Sequence, residues 1–140
     1  MALLAPNKGE VEILSRMVAA HSPGTGDTLR LKLWKSKVGD SMREGDTWKD
    51  FTVCTAAGYG DTLLLNGSWT ISTTGDSTNA VYAQKTFTFT AGDSSRGYFV
   101  TSKTVAGDTV VLWGEKFTDG PYVIPAGGGT IKVTPRISLN

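Results

Sequence analysis

The side chains of this chain that could take part in catalysis are its carboxylates, one cysteine and one histidine. The sequence contains nine aspartates and four glutamates, and eight of the aspartates adjoin a glycine, Asp50 being the exception. A glycine beside an aspartate is typical of a turn, because glycine adopts positive φ and the aspartate side chain bonds nearby backbone groups. Since no two carboxylates show the spacing of an acid–base pair, the sequence predicts turns here and not a catalytic centre.

The lone cysteine and the lone histidine argue against other kinds of site. One cysteine allows no intrachain disulfide, and together with one histidine it cannot supply the ligands of a zinc site. Cys54 lies in the apolar stretch FTVCTAAGY, which predicts a small buried side chain. His21 has no serine in a Gly-x-Ser-x-Gly motif to activate, and the acids of segment 40–46 lack the alternating ligands of a calcium loop. We therefore expect no cofactor and no enzymatic activity.

Length, composition and charge predict one globular domain over residues 1–140. Apolar residues make up 39% of the chain, and the formal net charge is +1. A domain of this length buries enough surface to fold without a metal or a disulfide, and the balanced charge does not indicate nucleic acid or an anionic membrane as a partner. The first ten residues lack a signal-peptide pattern and no apolar run reaches membrane-spanning length, so we expect synthesis in a cytoplasm and no membrane partner.

The beginning of the chain has the pattern of an amphipathic helix at about residues 8–20. Asn7 can cap this helix with Glu10 in the capping-box position, and the Pro23 region ends it. Four apolar residues at helical spacing form one stripe, which either packs on the protein's own sheet or contacts a neighbouring subunit. They are Val11, Leu14, Met17 and Val18.

The chain from about residue 27 to residue 139 shows the alternation of β-strands. From residue 45 onward, Gly–Asp pairs recur at a spacing near fifteen residues. Strands between turns at this spacing predict an antiparallel β-sandwich or jelly roll, here of seven to nine strands. Lys85 predicts a bulge or a strand end within the segment 80–90, and Pro135 predicts an edge position or a bulge within 130–139.

One predicted strand, residues 28–35, carries a basic face. Its leucines point inward and leave Arg30, Lys32 and Trp34 on the other side. This face is either solvated or a docking surface for an acidic partner. Because an exposed tryptophan beside a basic residue is a common interface anchor, we expect Trp34 to lie at the surface and to contact a partner.

The segment 37–50 has the composition of an exposed loop, since it contains two Gly–Asp pairs and few apolar residues. It carries Arg43 and Trp48, again an arginine and a tryptophan close together. We expect both side chains to be exposed and to form a second contact region.

Several blocks of the sequence, taken in order, resemble a known family. They are APNKGEVEILSRMV near the start, FTVCTAAGYGDTLL followed by SWTIS in the middle, and QKTFTFTA, GYFVTS, VVLWGEKF and IPAGGGTIKVTPRISL towards the end. Their order and spacing over roughly residues 7–139 are similar to those of the capsid cement (decoration) proteins of short-tailed bacteriophages of the Bordetella phage type. The likeness is weakest at 36–50, where that family varies in length.

The resemblance implies a jelly-roll-like β-sandwich that binds the outside of an icosahedral head built from an HK97-type major capsid protein. It implies a virion protein made in the bacterial host cytoplasm, a homo-oligomer such as a dimer, and no catalytic residues. We therefore expect the helix stripe, the basic strand face and the loop to provide capsid contacts. One alternative is a phage tail or fibre module that binds a host surface glycan, which would need clustered exposed aromatic side chains beside Asp or Asn. Another is a small hydrolase, which would need a pocket containing carboxylates or histidine.

Overall fold

The computed structural model describes residues 29–65, 68–74, 77–104 and 106–139. Within these ranges the chain forms antiparallel strands and one turn of 3-10 helix at Trp48–Asp50, which confirms the predicted all-β class. The described strands outnumber the seven to nine predicted, because two long segments are divided and several strands have only three residues. They are β1 (Leu29–Lys37), β2 (Phe51–Val53), β3 (Thr62–Leu64), β4 (Trp69–Thr74), β5 (Ser77–Tyr82), β6 (Lys85–Phe89), β7 (Asp93–Ser95), β8 (Gly97–Lys103), β9 (Thr109–Lys116), β10 (Tyr122–Ile124), β11 (Gly129–Val133) and β12 (Arg136–Leu139).

The helix predicted at about residues 8–20 lies outside the described residues. The same is true of its apolar stripe, so the structure does not bear on the contacts predicted for these four side chains. They are Val11, Leu14, Met17 and Val18.

The largest sheet forms around β1, which pairs with strands on both of its edges. On one edge, residues 30–34 pair with residues 97–101 of β8, and β9 extends the sheet beyond β8. On the other edge, β3 pairs with the first part of β1 and β2 with the last part. The alternation of leucines in β1 places Leu31 and Leu33 on one face, where both are fully buried.

The segments 80–90 and 130–139 pair with each other and form a long antiparallel ribbon. Val133 lies opposite Lys85 in the β6–β11 ladder, and Arg136 lies opposite Val81 in the β5–β12 ladder. Residues 82–84 on one side of this junction therefore lie opposite residues 134–135 on the other. One extra residue on one strand is what defines a β-bulge. The Pro135 carbonyl accepts a hydrogen bond from the Tyr82 N–H at 2.9 Å, so pairing continues through the junction. The irregularities predicted at Lys85 and Pro135 are confirmed.

The main core lies between the β1 sheet and this ribbon. Leu33 belongs to one buried cluster with Phe87 and Phe89 of β6 and Ile131 of β11. Tyr59 stacks on the two phenylalanines at centroid distances of 5.7 and 5.5 Å, and its hydroxyl accepts a hydrogen bond from the Leu33 N–H at 2.9 Å. Because each buried large apolar side chain stabilises the fold by about 1.5–3 kcal/mol, this sandwich-like packing holds the sheet and the ribbon together.

Part of the opposite face of the β1 sheet, around Trp34, is buried as well, under residues 38–50, which we call the flap. In this second core, Phe51 stacks on Phe99 at 4.5 Å and meets Trp34 edge to face at 5.9 Å, and Met42 of the flap packs against the cluster. Trp34 is 0% exposed, so the prediction that it lies at the surface is wrong. The side of β1 on which it lies was predicted correctly, but the flap and β2 cover that side.

Candidate functional site

The lysines of β1 are each paired with an aspartate from a Gly–Asp turn. The pairs are Lys32–Asp61 at 3.5 Å, Lys35–Asp93 at 3.8 Å and Lys37–Asp46 at 2.8 Å. The turn aspartates therefore also act as ion-pair partners, a role that the sequence pattern did not indicate. Three of the four basic side chains of the stretch 30–37 are therefore compensated within the molecule, whereas Arg30 is exposed without an ion pair to another described residue.

Asp93 is the most extensively bonded of these aspartates. Its carboxylate accepts hydrogen bonds from the backbone N–H groups of Thr55 and Ala56 at 3.0 Å each, and from that of Ser94 at 2.9 Å. Burial opposes ionisation, but the three N–H groups and the nearby Lys35 ammonium outweigh it and hold the pKa of Asp93 below its usual range. Asp93 thus joins the segment after β2 to the start of β7.

The flap is anchored at its centre by an ion pair in the interior. The Lys37 ammonium lies 2.8 Å from Asp46, and the two side chains are 0% and 8% exposed. The ammonium also donates to the Val38 carbonyl at 2.7 Å and lies 5.7 Å from the centroid of the Phe51 ring. Because a buried charge without its partner is strongly destabilising, this pair fixes the flap over the second core.

Hydrogen bonds tie the beginning of the flap to Arg96 and Lys116, and others stabilise its end internally. At the beginning, Lys116 and Arg96 donate to the two carboxylate oxygens of Asp40, and these contacts, Lys116 first, lower the pKa of Asp40. At the end, the Thr47 backbone N–H and hydroxyl donate to Asp50 at 2.7 and 2.8 Å, which lowers the pKa of Asp50. The flap is therefore a fixed part of the fold and presents a defined outer surface.

That outer surface carries the two flap residues that were predicted to be exposed. Trp48 is 44% exposed and Arg43 is exposed as well, so both predictions of exposure are confirmed. Val38 is 70% exposed on the same segment, and the Lys49 ammonium lies 5.9 Å from the centroid of the Trp48 ring. The flap thus exposes a tryptophan, an arginine and an aliphatic side chain, and tryptophan and arginine are enriched in protein interfaces.

A cleft of about 460 Å³ opens at another part of the molecule, between β8, β9 and the ends of β10, β11 and β12. Phe117 lies between two tyrosines of this cleft, with ring centroids 6.3 Å from Tyr98 and 5.0 Å from Tyr122. Tyr98 is buried, whereas Tyr122 is 41% exposed. The aromatic side chains therefore extend from the interior to the cleft opening.

Charged side chains line the remainder of the cleft. The Tyr98 hydroxyl donates to Glu115 Oε2 at 3.0 Å, and Arg136 lies 3.9 Å from Glu115 Oε1. Burial, and then the negative charge of Glu115, raise the pKa of Tyr98, so its hydroxyl stays a donor at neutral pH. Lys116, Asp119 and Lys132 are the other charged side chains of the lining.

Sequence reasoning did not find the cleft, since its residues come from β5, from the five strands β8 to β12 and from the loop 117–119. The one local signal is the stretch EKFTDGPY at 115–122, which concentrates charged and aromatic residues around a turn. Such a stretch indicates a polar surface loop, but nothing in it indicates the arginine that faces Glu115 from β12.

Cys54 is buried, as predicted from its apolar surroundings, with 2% of its surface exposed. Its thiol donates to the Ser94 carbonyl at 3.3 Å, and burial above all raises its pKa to about 11. In the part of the chain that the structure describes, no group of three or more His, Cys, Asp or Glu side chains could hold a metal ion. In the same part, no helix has both the length and the apolar composition needed to cross a bilayer.

The nine predicted contact residues thus divide into three groups. The helix stripe lies outside the described residues, Trp34 is buried in the second core, and Arg30, Arg43 and Trp48 are exposed while Lys32 is half-buried. The basic strand face and the flap do not form one exposed contact patch. The flap covers Trp34, and the β1 lysines are paired with aspartates. No protein-family model, curated protein or solved structure matches this chain.

Proposed function

We propose that this protein is a virion structural protein that binds the outer surface of an HK97-type phage capsid and cements neighbouring major capsid subunits. The order and spacing of the sequence blocks that resemble cement proteins support this proposal. In this role the chain has no catalytic step and needs no cofactor. It is made in the host cytoplasm and resides on the outside of the virion.

The observation that carries the proposal is the presence of large exposed apolar side chains on three separate elements. A cement protein contacts several neighbouring subunits at once, so it needs more than one contact point, and many weak contacts together give strong binding. An apolar patch exposed to solvent is a usual mark of a protein-binding surface, and each of these elements exposes two large apolar side chains. They are Val38 and Trp48 in the flap, Leu63 and Leu65 at β3, and Tyr122 and Val123 in β10.

The rigidity of the described part supports the same role. Both faces of the β1 sheet are packed, and the flap is held by the buried Lys37–Asp46 pair. A surface that is already fixed loses little conformational freedom on binding, which favours affinity. Rigid contact points also keep a constant spacing, as a shell of identical subunits requires.

We further propose that the sheet and ribbon belong to a jelly-roll-like sandwich and that the protein forms a homo-oligomer, such as a dimer, on the capsid. The stacking of the β1 sheet on the β5–β6 and β11–β12 ribbon supports a sandwich. The short strands β3 and β10 each pair with one described strand, so they offer edges to a second copy or to the capsid.

Co-sedimentation with phage heads that lack this protein tests the proposal. Bound copies are counted by gel densitometry, and we expect saturable binding at a fixed ratio to the major capsid protein. Trp48→Ser should weaken binding, whereas Thr86→Ala, an exposed threonine of β6 away from the three elements, should not. Absence of binding, or a few copies per particle, would instead favour a tail or fibre module.

A further inference from the structure

We propose that the cleft is a binding site for a neutral saccharide, with Phe117 and Tyr122 as the stacking surface and Glu115 and Arg136 as the hydrogen-bonding groups. This inference goes beyond capsid binding and does not depend on it. Of these four residues only Tyr122 is also among the side chains proposed to contact the capsid, and the saccharide assay contains no capsid.

The aromatic side chains give the site its apolar surface. The rings of Phe117 and Tyr122 are 5.0 Å apart at an interplanar angle of 51°, and Tyr122 is 41% exposed. A sugar ring has an apolar face of C–H groups, and such a face packs favourably on an aromatic ring. Tyr98 is buried, with its ring centroid 6.3 Å from that of Phe117, so the exposed aromatic surface of the cleft comes from Tyr122 and part of Phe117.

The polar groups beside these rings suit hydroxyls. Glu115 Oε2 accepts from Tyr98, while Glu115 Oε1 lies 3.9 Å from Arg136, which is too far for a hydrogen bond. This oxygen is therefore able to accept from a ligand, and the Arg136 side chain, 62% exposed, is able to donate. Because each sugar hydroxyl both donates and accepts, an acceptor next to a donor matches two neighbouring hydroxyls.

The charge balance of the cleft favours a neutral ligand. Lys116 is paired with Asp40 at 3.2 Å. The other charged lining residues are two acids, Glu115 and Asp119, and two bases, Lys132 and Arg136, so their formal charge is zero. A cleft that mixes aromatic surface with a few polar groups is the usual form of a small-molecule site, and a lining without net charge gives an anion or a cation no overall attraction.

Ligand-observed NMR on the full chain tests the inference. The probes are lactose, maltotriose and N,N′-diacetylchitobiose at millimolar concentration, with glucuronate and inorganic phosphate as anionic comparators. We expect saturation transfer to at least one neutral saccharide. Tyr122→Ala and Glu115→Gln should each weaken its binding about tenfold, which corresponds to about 1.4 kcal/mol.

Val123→Ala is the matched control, because Val123 is 73% exposed on β10 but does not line the cleft. It should bind the saccharide like the wild type, and thermal unfolding of all variants checks that they are folded. Three results would overturn the inference: no transfer to any neutral saccharide, transfer to the anions alone, or saccharide binding that Tyr122→Ala leaves unchanged. The co-sedimentation assay reads capsid binding separately, so failure of one proposal does not mask the other.

Discussion

Both faces of the β1 sheet carry a buried cluster, but the two clusters differ. The inner face packs against the ribbon through apolar side chains such as Leu33 and Phe87. The outer face combines an aromatic cluster around Trp34 with a buried ion pair, Lys37–Asp46, and is covered by a flap without regular strands. A strand face that carries lysines can therefore become part of the interior when a neighbouring loop packs over it and supplies carboxylates as ion-pair partners.

The largest effects on stability should come from truncating two neighbouring side chains of β1 that point to opposite faces of the sheet. Trp34 and Leu33 are both 0% exposed. We expect Trp34→Ala to lower the free energy of unfolding by about 4 kcal/mol and Leu33→Ala by about 3 kcal/mol, each measured by urea unfolding. A cost below about 1 kcal/mol for Trp34→Ala would mean that the outer face is a surface and not a core.

The next largest effect should come from the ion pair under the flap. Lys37→Met leaves Asp46 without its partner and should lower the free energy of unfolding by about 3 kcal/mol. The double variant Lys37→Met/Asp46→Leu should recover most of this loss, because an apolar pair replaces the buried charges. Urea unfolding of the wild type, Lys37→Met, Asp46→Leu and the double variant measures the coupling energy between the two side chains. Additive losses of stability would show that the two charges do not interact.

A smaller effect, dependent on pH, should appear at Asp93 beside the main core. Its lowered pKa means that its stabilising effect is complete above the ordinary carboxyl pKa of about 3.9 and is lost as pH falls through the lower folded-state value. At neutral pH, Asp93→Asn should cost about 1.5–3 kcal/mol, because a charged acceptor of three N–H groups is lost.

Urea unfolding between neutral and acidic pH checks this linkage. The stability of the wild type should fall more steeply below the ordinary carboxyl pKa than that of Asp93→Asn. Asp119→Asn, at an exposed aspartate of the cleft, is the control and should keep the wild-type slope. Parallel slopes for the wild type and Asp93→Asn would contradict the role given to the backbone donors.

The smallest effect on stability should come from the outer surface of the flap. Trp48 is 44% exposed and belongs to neither core, so Trp48→Ala should change the free energy of unfolding by less than about 0.5 kcal/mol. Its effect should appear in capsid co-sedimentation and not in urea unfolding. A loss of stability comparable to that of Trp34→Ala would place Trp48 with the core and remove it from the contact surface.

The strands could be predicted because the alternation of apolar and polar residues along a strand is a local pattern in the sequence. The leucines of β1, the phenylalanines of β6 and the irregularities at Lys85 and Pro135 all follow from neighbouring residues. The covering of Trp34 could not be predicted in the same way. It depends on a flap that folds back over the sheet and on a carboxylate that neutralises Lys37. Neither feature produces a periodic pattern of apolar and polar residues in the sequence.

The flap and the cleft show the same difference between local features, which the sequence predicts, and contacts between distant strands, which it does not. Trp48 and Arg43 were predicted to be exposed because their loop is polar, and local composition was sufficient. The cleft needs Glu115 and Arg136 to meet across strands, and such a meeting is decided by strand order. Strand order, in turn, follows from which apolar faces pack together, and many pairings are compatible with the same alternation.

The pairing of the β1 lysines with turn aspartates also bears on how quickly the protein would bind the proposed capsid partner. Because Lys32, Lys35 and Lys37 each lie near a carboxylate, this side of the molecule produces little long-range field. Encounter is then governed by diffusion and orientation, with rate constants of about 10⁵–10⁶ M⁻¹s⁻¹ that change little with ionic strength. Association of this kind proceeds as readily in a concentrated salt solution as in a dilute one.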